Sequence, residues 1–367
     1  MNVTEDNWSD IDRMAMSRAL KIAERGLGQV SPNPPVGCVL VSNGEIVAEG
    51  WHDHLGDLHA EQAAIAHAEA KGVSTHGCTA YVTLEPCNHH GRTPPCTEAL
   101  LWAGISKVVI AAGDPNPTVR GGGIEHLRTQ GIEVLTGLME NEARTQMAPF
   151  MTWCECRKPY VILKAALDNN GKIAGEESFR FTSDDSLDAV HMLRRNCDAI
   201  LVGVNTVVSD NPSLDVRRVE LGLASNPLRV ICDPSLRSPD GSKVLTDGSP
   251  TLVLHTSEGG SLGDAECLRM SSDCKEIDID KILDLLGDRG IQSIIVEGGA
   301  DVWRRFLKAR AVDEALVFHS EVDLGDGVDG GINEDRLRQA GLELVEESKS
   351  GADILRTWKR VCHSSNR

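Results

Sequence analysis

The stretch LEPCNHHGRTPPC, Leu84 to Cys96, sets two cysteines among two adjacent histidines, an arginine and three prolines, and it lies downstream of His59-Ala60-Glu61 in DLHAEQAAIA. Thiolate and imidazole are zinc ligands. His59, Cys87 and Cys96 supply three, which leaves one tetrahedral position open to water. An open site is a catalytic one, because bound zinc lowers the pKa of water from ~15.7 towards ~7 and offers hydroxide at neutral pH. Glu61 is then the base that takes the proton and redelivers it. Two other readings stand beside this one. His89 or His90 as a fourth ligand makes a closed structural site in a zinc-stabilised binding protein, and leaves the Glu61 carboxylate without a purpose. A Cys87–Cys96 disulfide is the other, disfavoured in a reducing compartment.

Helical positions two apart point to nearly opposite sides, so His59 and Glu61 share a site only if His59 lies at a frayed helix N-terminus. The alanine-rich pattern begins right there, predicting a helix near Ala60 to Ala70. Pro94 and Pro95 suit a first helical turn, and place Cys96 where the helix dipole favours its thiolate. Around this site the chain reads as a helix over Arg13 to Arg25, a break at GLGQVSPNPPVG, and a hairpin about Asn43-Gly44. Strands follow at Thr79 to Leu84 and Lys107 to Ala111, separated by a helix near Thr97 to Ala103, and then GIEVLTG and a helix reaching Met147. Strands alternating with helices imply a layered α/β domain over residues 1–149.

FMTWCECRKPY is polar and broken by a proline, and is read as a linker at 150–158, with Cys154 and Cys156 a solvated pair rather than a metal site. From 159 to 367 the runs YVILKAAL, CDAILVGV, LRVICD, TLVLHT and IQSIIVEGG are strands of the kind buried in parallel sheets, so the second domain is again α/β. SIIVEGGADVWRRFL reads as strand, glycine turn and helix, which can cradle a phosphate; a tight packing turn explains the same glycines. Thr206 to Arg217 reads as a loop after a strand. The halves share no motif, so they are different domains rather than a repeat.

Bulk properties narrow the partners. Across 367 residues the net charge is −18, which repels a nucleic-acid backbone and favours a small-molecule substrate. Hydrophobic residues at 41% and charged residues at 25% describe an ordinary globular chain. No run approaches the roughly 18 apolar residues of a membrane span, and MNVTEDNWSD lacks the features of a signal peptide, so a cytoplasmic protein away from membranes is expected. The 11 cysteines are scattered, consistent with buried free thiols.

His-Ala-Glu followed by Pro-Cys and a later Cys resembles the cytidine deaminase superfamily, whose signature is H-x-E with P-C-x-x-C. Here eight residues, not two, separate Cys87 from Cys96. That spacing, with SPNPPVGCVLV before it and GDPNPTVRGGG after it, closely resembles the deaminase half of the bifunctional riboflavin-biosynthesis deaminase/reductases over roughly residues 12 to 146. Lys164, Ser178, Thr182-Ser183, Arg194, the Thr206 to Arg217 loop and VEGG at Glu297 resemble the reductase half.

The resemblance implies a cytidine-deaminase-like three-layer α/β/α domain followed by a dihydrofolate-reductase-like α/β domain. It implies Zn2+ and NADPH as cofactors, and a homo-oligomer by analogy. The implied reactions are deamination of a diaminopyrimidinone carrying a ribosylamino phosphate, and then opening and reduction of its ribose to a ribityl chain. Asn33, His89, Arg92 and Asn116 would hold the first substrate. Ser178, Arg194, Leu214, Arg217 and Glu297 would hold the second. Lys164, Ala166, Arg180, Thr206, Asp210, Gly299, Ala300 and Asp301 would meet NADPH.

The sequence also departs from the family pattern. Asp168 stands where a serine is usual, Asn170 where an aspartate is usual, Arg180 where a tryptophan is common, and HSEVDLGDGVDG diverges near the C-terminus. An anionic Asp168 beside a cofactor phosphate is unfavourable, so it faces away or cofactor binding is altered. The alternatives are therefore a deaminase whose reductase-like half has lost activity, and a deaminase of nucleosides or RNA.

Overall fold

The computed structural model describes residues 8–89, 94–116, 122–175, 180–271 and 276–361. Contacts divide the chain into two units, Met1–Glu155 and Cys156–Arg367.

In the first unit Asn43 and Gly44 both take positive φ, 52° and 79°, as a two-residue hairpin turn requires. The turn pairs β1 (Gly37–Ser42) with β2 (Glu45–Trp51). β3 (Thr79–Leu84), β4 (Lys107–Ala112) and β5 (Glu133–Thr136) complete a five-stranded sheet in the order β2-β1-β3-β4-β5. Because side chains alternate along a strand, Cys38 and Leu40 of β1 face one side and Val39 and Val41 the other. Each side is covered. Val39 and Val41 pack with residues of α1 (Asp10–Ala23), α5 (Glu140–Gln146) and α6 (Ala148–Cys156). Cys38 and Leu40 pack with residues of α2 (Ala60–Ala70), α3 (Cys96–Trp102) and α4 (Gly122–Thr129). The result is the expected α/β/α sandwich.

The segment read as a linker is helical instead, through Cys156, and α6 buries Phe150 and Met151. The proline of that segment, Pro159, falls after the helix ends and before Tyr160 begins the next strand, while Pro149 sits in the helix's first turn, where a missing N–H costs nothing. Pro94 and Pro95 precede α3 rather than entering it, with Pro95 as the N-cap.

The second unit is a nine-stranded sheet in the order β11-β10-β9-β8-β12-β6-β13-β16-β15. Its strands are β6 (Tyr160–Leu167), β8 (Ala199–Gly203), β9 (Leu228–Cys232), β10 (Thr251–His255), β11 (Glu266–Arg269), β12 (Ser293–Gly298), β13 (Glu314–His319), β15 (Leu342–Ser350) and β16 (Asp353–Arg360); β7 (Lys172–Ala174) and β14 (Val328–Asp329) form a separate pair. Pairing is parallel from β11 to β13, as the apolar runs predict, and antiparallel at β13, β16 and β15.

Helices α7 (Asp184–Asn196), α8 (Val204–Asp210) and α9 (Lys243–Thr246) contribute to the core on one face. α10 (Ile279–Asp288), α11 (Ala300–Lys308) and α12 (Glu334–Gln339) contribute on the other. The Thr206 to Arg217 stretch is thus not all loop: its first five residues are the end of α8, which stops at Asn211 in the left-handed conformation, φ 43°. Among the described residues no helix is long and apolar enough to cross a membrane.

Candidate active sites

His59 is the N-cap of α2, with extended backbone (φ −70°, ψ 160°), and Glu61 lies in the first turn. That non-helical cap lets both side chains reach one place. Cys87 follows the end of β3, and Cys96 opens α3. Their sulfurs lie 3.6 and 3.3 Å from His59 Nδ1, and the backbone N–H of Cys96 donates to Cys87 Sγ at 3.4 Å. The three ligand atoms fall within 4.8 Å of one another, and both cysteines are free thiols. Two thiols and one imidazole suit zinc. His89 is not part of this group, and His90 lies outside the described residues, as does Arg92.

The electrostatics favour proton transfer. Contact with Cys96, then with His59, holds the Cys87 thiol well below its ordinary value, while the same contact and burial push Cys96 up. Glu61 is 3% exposed, and burial, followed by the charge of Cys87, raises its carboxyl to about 7. A carboxyl balanced near neutrality can both take and return a proton.

Glu61, His59 and Cys87 open on a cavity of about 440 Å3 that is also lined by Asn33, His89 and Asn116, so three of the four expected substrate residues converge there. Sequence reasoning missed His52, Glu85, Asp114 and Phe150, which line the same space. His52 packs edge-on against His59 with centroids 5.3 Å apart; its Nδ1 faces the Leu58 carbonyl at 3.0 Å and its Nε2 the Asn33 amide at 3.2 Å. The histidine-rich run WHDHLGDLH was the available signal. Glu85, buried, accepts from the backbone N–H groups of Asp114, Gly123 and Ile124. No local pattern announces that.

In the second unit Arg194 forms a two-pronged pair with Glu297, at 2.5 and 2.7 Å, and also donates to the Asp215 carbonyl at 3.0 Å. Burial lowers the Lys164 amine, and the charge of Glu297 opposes that shift. Glu297 is penalised by burial but held below its usual range by Arg194. Leu214 is buried at positive φ, 52°, and Arg217 pairs with the Asp215 carboxylate.

The VEGG turn leads into α11, with Gly298 at φ 138° and the Gly299 N–H donating to Thr206 Oγ1 at 3.1 Å. Bare glycine backbone at a helix N-terminus, at the carboxyl end of a parallel strand, fits a dinucleotide phosphate. Ala300 begins α11, and Ala166 lies on β6 opposite Phe318 of β13. Arg180, Asp210 and Asp301 bond instead to sequence neighbours, respectively Asp184, Ser209 and Arg304. Ser178 lies outside the described residues.

Asp168 turns away from the cofactor problem. It is 1% exposed; Oδ1 accepts the N–H groups of Asn170 and Lys172, and Oδ2 that of Leu324. Asn170 donates to Asp323 at 3.0 Å. The unusual residues at 168 and 170 and the divergent C-terminal stretch are therefore one bonded feature.

Residues 9–112 match the model of the cytidine and deoxycytidylate deaminase zinc-binding region, and residues 159–355 that of the RibD C-terminal domain. The chain is 40% identical to the riboflavin biosynthesis protein RibD of Aquifex aeolicus, over 92% of this chain and 93% of the relative, and 38% identical to that of Escherichia coli, over 87% and 90%. A crystal structure from Thermotoga maritima, described as a diaminohydroxyphosphoribosylaminopyrimidine deaminase/5-amino-6-(5-phosphoribosylamino)uracil reductase, superposes with TM-score 0.86 at 38% identity, covering 96% of this chain and 99% of that one. Fold and matches together define a zinc-dependent deaminase joined to an NADPH-dependent reductase. The chain belongs to the RibD family of bifunctional riboflavin-biosynthesis enzymes.

Proposed function

We propose that residues 1–149 deaminate 2,5-diamino-6-(5-phosphoribosylamino)pyrimidin-4(3H)-one to 5-amino-6-(5-phosphoribosylamino)uracil, and that residues 159–367 reduce the ribosyl group of that product to ribityl. The observation that carries the reading is the buried Glu61 beside His59, Cys87 and Cys96 at the wall of one cavity. His59, Cys87 and Cys96 would hold zinc, which when bound would supply an acidified water as the nucleophile. Glu61, buried at the cavity wall, is placed to take a proton from the attacking water and deliver it to the amine, which would leave as ammonia while the oxygen stays on the ring. Asn33, His89 and Asn116 hold the pyrimidine, and Arg92 is assigned to its phosphate.

In the reductase, NADPH when bound would supply a hydride for the first ribose carbon, whose ring oxygen would leave to become a hydroxyl after protonation. Lys164, Ala166, Arg180, Thr206, Asp210, Gly299, Ala300 and Asp301 are assigned to the cofactor. Ser178, Arg194, Leu214, Arg217 and Glu297 are assigned to the substrate. The Arg194–Glu297 pair holds two of these side chains together, and Glu297 also compensates the charge of Lys164. A cytoplasmic homo-oligomer that binds no nucleic acid fits the acidic charge and this chemistry.

Glu61→Gln tests the assignment. It is expected to keep about one zinc per chain by elemental analysis, and to lose ammonia release by a factor on the order of 10²–10⁴. Normal turnover by this variant would remove Glu61 from the mechanism.

A further inference from the structure

The stretch after α8 is pinned to α7 in a way that none of the substrate assignments explains. His191 and Arg194 lie three residues apart on α7 and so share one face. Arg194 Nη1 donates to the carbonyl of Asp215, and the backbone N–H of Arg217 donates to His191 Nδ1 at 3.2 Å. Between them the N–H of Val216 turns the other way, to Asn226 Oδ1 at 2.9 Å. Arg218 adds contacts from its guanidinium to Asp184 and Asp188 of the same helix. The backbone through 215–217 is thereby held on both sides, while the Arg217 side chain stays 57% exposed.

His191 is 3% exposed and has no role in the chemistry described above. We infer that His191 is a positioning residue of the reductase site, which aims Arg217 at the substrate by accepting its backbone N–H. The inference rests on the assignment of Arg217 to the substrate. Only an unprotonated Nδ1 can accept, and the surroundings keep it so: burial, then the charges of Arg194 and Arg217, outweigh those of Asp215 and Glu297 and push the imidazole down to about 4. Without the acceptor, a part-buried N–H loses its partner and the arginine's backbone is released on one side.

The test uses the full chain, with NADPH oxidation followed against 5-amino-6-(5-phosphoribosylamino)uracil, and urea unfolding of the second unit as the control for folding. His191→Leu is expected to raise the aminouracil KM about tenfold, equivalent to ~1.4 kcal/mol, with kcat and the NADPH KM within about twofold. His191→Asn, whose Oδ1 can stand where Nδ1 stood, is expected to restore the wild-type KM. Arg217→Ala is expected to raise KM by itself, and adding His191→Leu to it should raise KM no further.

A raised KM in Arg217→Ala with an unchanged KM in His191→Leu overturns the inference and leaves the site assignment standing; so does an additive double variant. An unchanged KM in Arg217→Ala overturns the assignment itself, and the inference with it. If His191→Leu is insoluble or unfolds at markedly lower urea, His191→Gln, which keeps an amide but displaces the acceptor, takes its place with the same deciding outcomes.

Discussion

At the scale of single residues, what separates this chain from the usual family pattern is chemistry spent on structure. A carboxylate at 168 would be a liability beside a phosphate, yet here both oxygens are occupied by backbone N–H groups from two segments distant in sequence. Burial works against the charge, but the bonds from Leu324, Lys172 and Asn170 hold the carboxyl below its ordinary value. A group depressed in the fold stabilises above its unfolded pKa of ~3.9, and the contribution is lost as pH falls through the lower folded value. Asp168→Asn replaces one accepting oxygen with a donor that faces an N–H, so a cost of about 1–3 kcal/mol is expected. Urea unfolding at pH 7 measures it, and at pH 3 the gap to the parent should narrow. An equally stable variant at pH 7 would show that the clamp is dispensable.

At the scale of elements, the site depends on how closely α2 approaches the sheet. Gly50 of β2 lies under that helix: a Cβ there would stand 2.2 Å from the Ala64 nitrogen and 2.7 Å from the Ala60 carbonyl oxygen, both rigid backbone. Gly50→Ala must therefore push back the helix that carries His59 and Glu61. The expected outcome is at least a tenfold loss of ammonia release with reduced zinc content, while NADPH oxidation persists. Retained zinc and deamination would mean that α2 tolerates the shift.

Elements such as α2 and β3 were legible because their patterns are dominated by burial: alanines along the packed helix, a continuous apolar run in the strand. The zinc trio was legible for a different reason, since few other roles bring thiols, imidazole and a nearby carboxylate together. What escaped was set by tertiary contact. α8, VNTVVSD, is rich in β-branched residues that favour helix poorly, and Val204 and Val207 are held by burial. β15 pairs on one side only and is exposed over most of its length, so it shows no core-facing pattern. His191 and Glu85 act through backbone N–H groups far away in sequence, and spacing cannot reveal such partners.

At the scale of the whole molecule, the two activities should be separable by metal removal. The three zinc ligands and both hydrophobic cores of the first unit lie within residues 8–154, whereas both cores of the second are built only from residues after 159. Metal at His59, Cys87 and Cys96 binds only the folded arrangement of those ligands, so its removal acts on the first unit. The groups assigned to hydride transfer hold their geometry through the Arg194–Glu297 pair and the Thr206–Gly299 contact, neither of which involves a metal ligand. With a chelator in excess, ammonia release from the diaminopyrimidine is expected to fall to background and to return on adding zinc. NADPH oxidation with the aminouracil supplied directly should stay within about twofold, a change worth less than ~0.5 kcal/mol in barrier. Loss of both activities together would mean that the reductase depends on the metal-loaded state of its partner unit, and that their independence is only architectural.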